Sequence, residues 1–289
     1  MQLPNGSLSL LFPGQGVDPA AQRDEVRELR PDLFALAVKL CSVDPFSRAK
    51  EGTQYAQPAV YSASLAGFER LGRPAAEFHA GHSLGEISAL AAAGAIDSLD
   101  GLRIVAARGQ LMSEAAAAAG EGGMLAVDGD HAGAEELAAA TGLVVANQNS
   151  PRQFVLSGPQ AGIDRAREEA RGRGLRAKQL AVAGAFHTNA LDVAAAPFRE
   201  LLDSIEFRRP RVPVYSCVTA RPFEGDIAAL LTASLTHPVR WLEVMQSLHA
   251  AGVRRFVDVG PGRVLSRLVS RTLDDAVVDP DEILELQHA

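Results

Sequence analysis

The chain has no apolar run of about 18 residues, the length a membrane-spanning helix needs, so a helical span is excluded. Cysteine is scarce: Cys41 and Cys217 are the only two in 289 residues, and they lie far apart without metal-ligand spacing. They read as two core thiols of a reducing compartment. Positive charge is not in excess. The formal net charge is −7, which argues against the wrapping of nucleic acid. The opening residues Met1–Gly6 lack the basic and apolar regions of a secretory leader, and a cytoplasmic protein is expected. No internal repeat is visible. What is left is an ordinary soluble composition, 47% hydrophobic and 22% charged. The length suits one large domain or two smaller ones.

Against this background one pentapeptide stands out, Gly81-His82-Ser83-Leu84-Gly85. It has the form G-x-S-x-G, in which a serine occupies a tight strand-to-helix turn with its hydroxyl exposed. The turn is so sharp that a side chain at either glycine would collide with the flanking elements. The following helix points its first N–H groups back at the serine, where negative charge can be stabilised. The flanks agree. Ala75–Ala80 is short enough for a buried strand, and Glu86–Gly94 reads as a helix with an acid in its first turn and glycine at its end. Acyl chemistry through a serine ester is the implied reaction class.

Along the chain, Leu8–Phe12 is a short apolar strand that ends in the breakers Pro13-Gly14-Gln15-Gly16. Helices are predicted from about Arg23 to Lys39, from about Gln57 to Leu71 and from Leu99 to Ala119. After Gly120–Gly123 the pattern changes to strand, helix, strand, strand, helix, strand, ending near Val182. This is the ferredoxin-like order. Helix and strand then alternate to Val259-Gly260-Pro261-Gly262 and a last helix. The predicted fold class is α/β: a large α/β-hydrolase-like subdomain with a mainly parallel sheet (residues 1–120 and 185–289), and an inserted small ferredoxin-like subdomain (residues 121–184). The acidic tail from Asp274 is expected to be poorly ordered.

Basic residues crowd two places. Arg165, Arg167, Arg171, Arg173, Arg176 and Lys178 form one segment, and Arg208, Arg209 and Arg211 another. Each is read as a solvated face or as a patch for an acidic partner or phosphate-bearing ligand.

Several short motifs occur in one order: Phe12-Pro13-Gly14-Gln15-Gly16, Gly81–Glu86, Arg108-Gly109, Ala146–Pro151 with Gln153, Gly184-Ala185-Phe186-His187-Thr188, His237–Trp241 and Val259–Gly262. As a set they resemble the malonyl-CoA:acyl-carrier-protein acyltransferases of fatty-acid and polyketide synthesis, of the free-standing kind. The resemblance runs from Leu10 to about Leu268.

The resemblance implies roles residue by residue. Ser83 is the nucleophile and His187 its base. The histidine is oriented by a backbone carbonyl instead of a carboxylate, and Ala251 or a neighbour is the position expected here. Asp192 and Asp258 become candidates only if that carbonyl is missing. The N–H of Leu84 and a second donor from Gln15 would hold the oxyanion. Arg108 would pair with the free carboxylate of a malonyl group, a charge-assisted contact of about 1.5–3 kcal/mol. A phenylalanine before the histidine, Phe186, goes with malonyl rather than methylmalonyl, although one methyl is worth only about 1–3 kcal/mol. Asn147 and Gln148 would face the cleft or serve the turn before Pro151. His82, Trp241 and His237 read as packing or structural residues.

The implied reaction moves malonyl from malonyl-CoA to Ser83 and on to the phosphopantetheine thiol of an acyl carrier protein. No metal or redox cofactor is needed, and no nucleic acid or membrane is involved. A monomer is expected. Carrier proteins are generally acidic, so either basic segment could form the dock. Alternatives are an acyl hydrolase that clears carrier proteins, the malonyl-loading subunit of a malonate decarboxylase, and a catalytically idle docking subunit.

Overall fold

The computed structural model describes residues 6–182 and 184–278. In chain order it forms β1 (Ser7–Phe12), α1 (Arg23–Leu29), α2 (Pro31–Cys41), α3 (Pro45–Arg48), α4 (Thr53–Arg70), β2 (Phe78–Gly81), α5 (Gly85–Ala92) and α6 (Ser98–Ala119). Then come β3 (Gly122–Asp128), α7 (His131–Thr141), β4 (Val144–Ser150), β5 (Gln153–Pro159), α8 (Gln160–Gly172) and β6 (Ala177–Gln179). The chain continues through α9 (Asp192–Asp203), β7 (Val214–Tyr215), α10 (Ile227–Ala233), α11 (Trp241–Ala250), β8 (Val253–Asp258) and α12 (Val264–Ser270).

The strands sort into two sheets, as the α/β reading anticipates. One has the order β7-β2-β1-β8 and is parallel throughout. Its inner strand β1 is buried on both faces, as a parallel strand covered by helices must be. Leu10 and Phe12 enter the core built with α4, α5 and α6, while Leu11 points into the core of α11 and α12. The other sheet is antiparallel, with the order β4-β5-β3-β6. This is the second, third, first and fourth strand of a β-α-β-β-α-β unit. Its own core includes Leu125, Leu137, Phe154 and Ile163 under α7 and α8. The antiparallel sheet is tied to the segment before α11 where Gln148 N–H donates to Val239 O at 2.9 Å and Val239 N–H donates to Ala146 O at 2.8 Å.

Helix boundaries differ from expectation where proline intervenes. The helix expected from Arg23 to Lys39 breaks at Arg30, because Pro31 bars its predecessor from helical geometry and opens α2 instead. By contrast, α4 starts at Thr53, earlier than expected, and tolerates Pro58 inside it. The carbonyl that Pro58 cannot serve, Gln54 O, accepts from Cys41 Sγ at 3.8 Å. Of the acidic tail, residues 279–289 lie outside the described residues, while Val277 pairs with Arg255 beside β8. Among the described residues no helix is long and apolar enough to cross a membrane.

Candidate active site

The serine turn is built by close approach. A Cβ on Gly81 would stand 2.0 Å from the Gly85 carbonyl carbon, and one on Gly85 would stand 2.0 Å from Phe12 O. Only hydrogen fits at either place. Ser83 itself takes a positive φ of 52°, a left-handed conformation disfavoured for a side-chain-bearing residue. His187 shares this feature, with φ of 58°. Two strained backbones thus present the two groups to each other.

Ser83 Oγ lies 3.0 Å from His187 Nε2. On its far side His187 Nδ1 is 2.9 Å from Ser234 O. A carbonyl only accepts, so Nδ1 carries the proton and Nε2 is left as acceptor for the serine hydroxyl. The orienting carbonyl is therefore that of Ser234, not of Ala251 or its neighbours. Ser234 ends α10, and helix C-terminal carbonyls are the ones left without intrahelical donors. Asp258 serves a different element, accepting from Ser266 N–H at 3.0 Å at the start of α12.

Arg108 comes from α6 and is only 2% exposed. Its Nη2 donates to Ser83 Oγ at 3.2 Å, and its Nη1 donates to Gln57 Oε1 at 3.0 Å. From Gln57 the bonds run on: Nε2 donates to Thr53 Oγ1 at 2.8 Å, and Thr53 Oγ1 donates to Gln15 Oε1 at 2.6 Å. Arg108, which has donors only, heads this chain in both directions. Among the described residues it forms no ion pair. Burial lowers its pKa to about 10, an effect that the nearby charge of Glu86 opposes. Glu86, buried in the first turn of α5, is pushed up to about 7 by burial, although Cys217 N–H donates to its Oε1 at 2.7 Å.

His187 is held near 3, first by burial, then by the Arg108 charge, then by His82. Burial and these two neighbours therefore keep this imidazole neutral far below the usual histidine range.

The sequence-derived candidates Gln15, Ser83, Leu84, Arg108, Asn147, Phe186 and His187 all line one cavity of about 170 Å³. Neither the Leu84 nor the Gln15 backbone N–H meets an acceptor among the described residues. Asn147 reaches the cavity from β4, and its Oδ1 has no donor among the described residues. Gln148 does not line the cavity; its Nε2 stands 3.3 Å from His131 Nε2. His82 packs on Trp241 with ring centroids 5.4 Å apart, and its Nε2 is 2.9 Å from Asn149 Oδ1. His237 serves the end of α10, with Nδ1 2.9 Å from Ala233 O.

Sequence reasoning missed Gln57, Thr53, Asn149 and Ser234. Thr53 and Gln57 had a weak signal, two polar side chains one helical turn apart and so on one face. Ser234 had none, because it acts through its backbone.

Comparison with known proteins places this geometry among related chains. The family model described as an acyl transferase domain matches residues 39–286. A malonyl CoA-acyl carrier protein transacylase of Bacillus subtilis is 38% identical over 303 residues, covering 96% of this chain and 95% of the relative. A polyketide biosynthesis protein of Burkholderia thailandensis, ThaF, is also 38% identical, over 284 residues; the match spans 92% of this chain and 24% of that much longer protein. Among solved structures, a malonyl-CoA:acyl carrier protein transacylase of Xanthomonas oryzae pv. oryzae superposes with a TM-score of 0.88 at 34% identity, covering 98% of this chain and 99% of that one.

Proposed function

The chain belongs to the acyl transferase family, and we propose that it carries a malonyl group from malonyl-CoA to the phosphopantetheine thiol of an acyl carrier protein. The observation that carries this reading is Arg108. A buried guanidinium without an ion-pair partner among the described residues, donating to the hydroxyl of Ser83, is costly unless an anion meets it. It is the counterpart of a substrate carboxylate.

The steps follow from the contacts. His187 Nε2 accepts the Ser83 proton as Oγ attacks the thioester carbonyl. Charge on the carbonyl oxygen is met by the free N–H groups of Leu84 and Gln15. The C–S bond then breaks, and the departing CoA thiolate takes the proton from His187. In the second half the carrier thiol gives its proton to His187 and attacks the Ser83 ester. Oγ leaves and regains the proton. Arg108 holds the malonyl carboxylate through both halves. That pairing also offsets one of the charges that depress His187, so the base strengthens as the malonyl carboxylate enters.

Residues 121–184 are read as an inserted lobe that closes the cavity over residues 1–120 and 185–289. We also read the protein as a cytoplasmic monomer. An editing hydrolase for varied acyl chains gains nothing from a buried carboxylate clamp, so Arg108 weighs against that alternative.

Intact-mass spectrometry after brief exposure to malonyl-CoA, then to a phosphopantetheinylated carrier, tests the reading. A malonyl adduct on Ser83 that moves to the carrier is the expected result. An adduct lost to water equally fast with and without carrier would mean a hydrolase.

A further inference from the structure

Two basic segments drew attention in the sequence, yet their arginines are largely engaged. Arg173 pairs with Glu169 at 2.6 Å and Glu136 at 3.2 Å, and Arg176 with Asp128 at 2.5 Å. Arg208 pairs with Glu206 at 3.1 Å. The loop around Arg208–Arg211 is moreover held to the wrong end of α5, where Arg211 N–H donates to Ala93 O at 2.9 Å. An eight-residue helix puts that point about 12 Å from the Ser83 turn.

A third set of arginines is not engaged. Arg263, Arg267 and Arg271 are four residues apart, so they share one face of α12 and its flanks. All three are exposed, and none forms an ion pair among the described residues. Asp258, whose charge Arg263 and Arg267 feel, is half-buried and already takes the Ser266 N–H. Arg263 stands at the N-cap, where the helix dipole disfavours a cation. Apart from that attraction to Asp258, no carboxylate among the described residues closes on this row.

Its position is more telling. The flank of α12 next to this row belongs to the cavity: Val264, Leu265 and Leu268 line it, and Val264 is 37% exposed at the rim. Beside the cavity runs an open groove of about 610 Å³ that includes Lys178 and Arg271. Gln153 and Leu180 line both spaces, so the groove leads into the site.

We propose that the carrier protein docks on the outer face of α12 through an acidic helix, and that its phosphopantetheine arm runs along the groove past Arg271 and Lys178 to Ser83. The proposal rests on the transferase reading above. Arginines four positions apart repeat every 6 Å or so, the same repeat as carboxylates at i and i+4 on a partner helix. On a chain whose net charge is −7, a bare cationic row beside the site entrance selects one acidic partner face and steers it there. The arm's phosphodiester then meets Lys178 and Arg271 as fixed cations.

The test separates the two half-reactions in the full-length protein. R263E/R267E alters only the row and leaves Lys178 and Arg271 in place. With phosphopantetheinylated acyl carrier protein of Escherichia coli as acceptor, kcat/KM for the carrier should fall about 30-fold or more, chiefly through KM. Acylation of Ser83 by malonyl-CoA should stay within about 2-fold, which also shows that the variant is folded. R263K/R267K should keep most of the carrier rate, and raised ionic strength should weaken wild type far more than R263E/R267E. An unchanged carrier KM in the charge-reversed variant overturns the proposal. So does a parallel loss of acylation, which would assign this face to CoA. A wild type that forms no malonyl adduct at all would instead sink the transferase reading itself.

Discussion

The two sheets meet the cavity in different ways. The parallel sheet delivers Gln15 and Ser83 on the turns that follow its two inner strands, with backbones so close that Gly81 and Gly85 have no room for a Cβ, and with a positive φ at Ser83. The antiparallel sheet delivers Asn147 and Asn149 on β4, beside two irregularities in its pairing with β5. One side is locked and carries the reacting groups. The other brings side-chain amides, Asn147 and Asn149, to the cavity wall. Strain is kept where an ångström decides the rate, and adaptability where only binding is at stake.

Breaking the locked side should cost most. S83A should lower malonyl transfer by about 10⁴-fold or more, since the nucleophile and its base act as a unit. Intact mass of that variant should show no adduct. Transfer surviving without one would overturn the covalent route.

Next is R108Q, at the junction of the two sides. Its kcat/KM for malonyl-CoA should fall about 10²-fold or more, while acetyl-CoA should change by less than about 3-fold. The same variant carries a pH signature. Arg108 helps depress His187, and a depressed histidine stays neutral to lower pH. Removing the charge raises the histidine pKa, so the acid limb of Ser83 labelling by a fluorophosphonate should move to higher pH. A limb that stays in place would mean that burial and His82, not Arg108, set the base.

F186S should change selection rather than rate. Phe186 is 5% exposed and lines the cavity. Shrinking it should narrow the malonyl over methylmalonyl preference in kcat/KM by about 10-fold. Comparable values for the two substrates in wild type would remove this role. The smallest effect is expected on the antiparallel side. N149A removes the partner of His82 and should raise KM by about 5-fold with kcat nearly unchanged. A collapse of kcat instead would show that the amide side shares in the chemistry.

Much of this was legible because the site is made of short local signals. Gly81–Gly85 dictates its turn whatever surrounds it, and the β-α-β-β-α-β order is written in turn residues and periodicity. The break at Pro31 was also available from local rules, and was overlooked because α1 and α2 share an apolar rhythm across it. Ser234 lay beyond reach for a physical reason. Its carbonyl is present in every residue, and only the fold says which one faces His187 Nδ1. Gln57 was hidden differently. Its amide matters through Arg108, 51 positions away, and such pairings appear only once α4 and α6 are packed. The basic segments misled for the same reason, since charge clustering in sequence does not reveal which carboxylates fold back to meet it.

One modest bond has a wider consequence. His82 N–H donates to Phe12 O at 3.0 Å, just past the point where Phe12 pairs with Gly81. It clips the turn bearing Ser83 to the turn bearing Gln15, at the ends of the two innermost strands of a buried sheet. Such a clip opens only when the core around it opens. Warming should therefore leave the turnover machinery whole until the molecule melts, with inactivation and the loss of near-ultraviolet dichroism following one curve. In this protein the activity is its own thermometer.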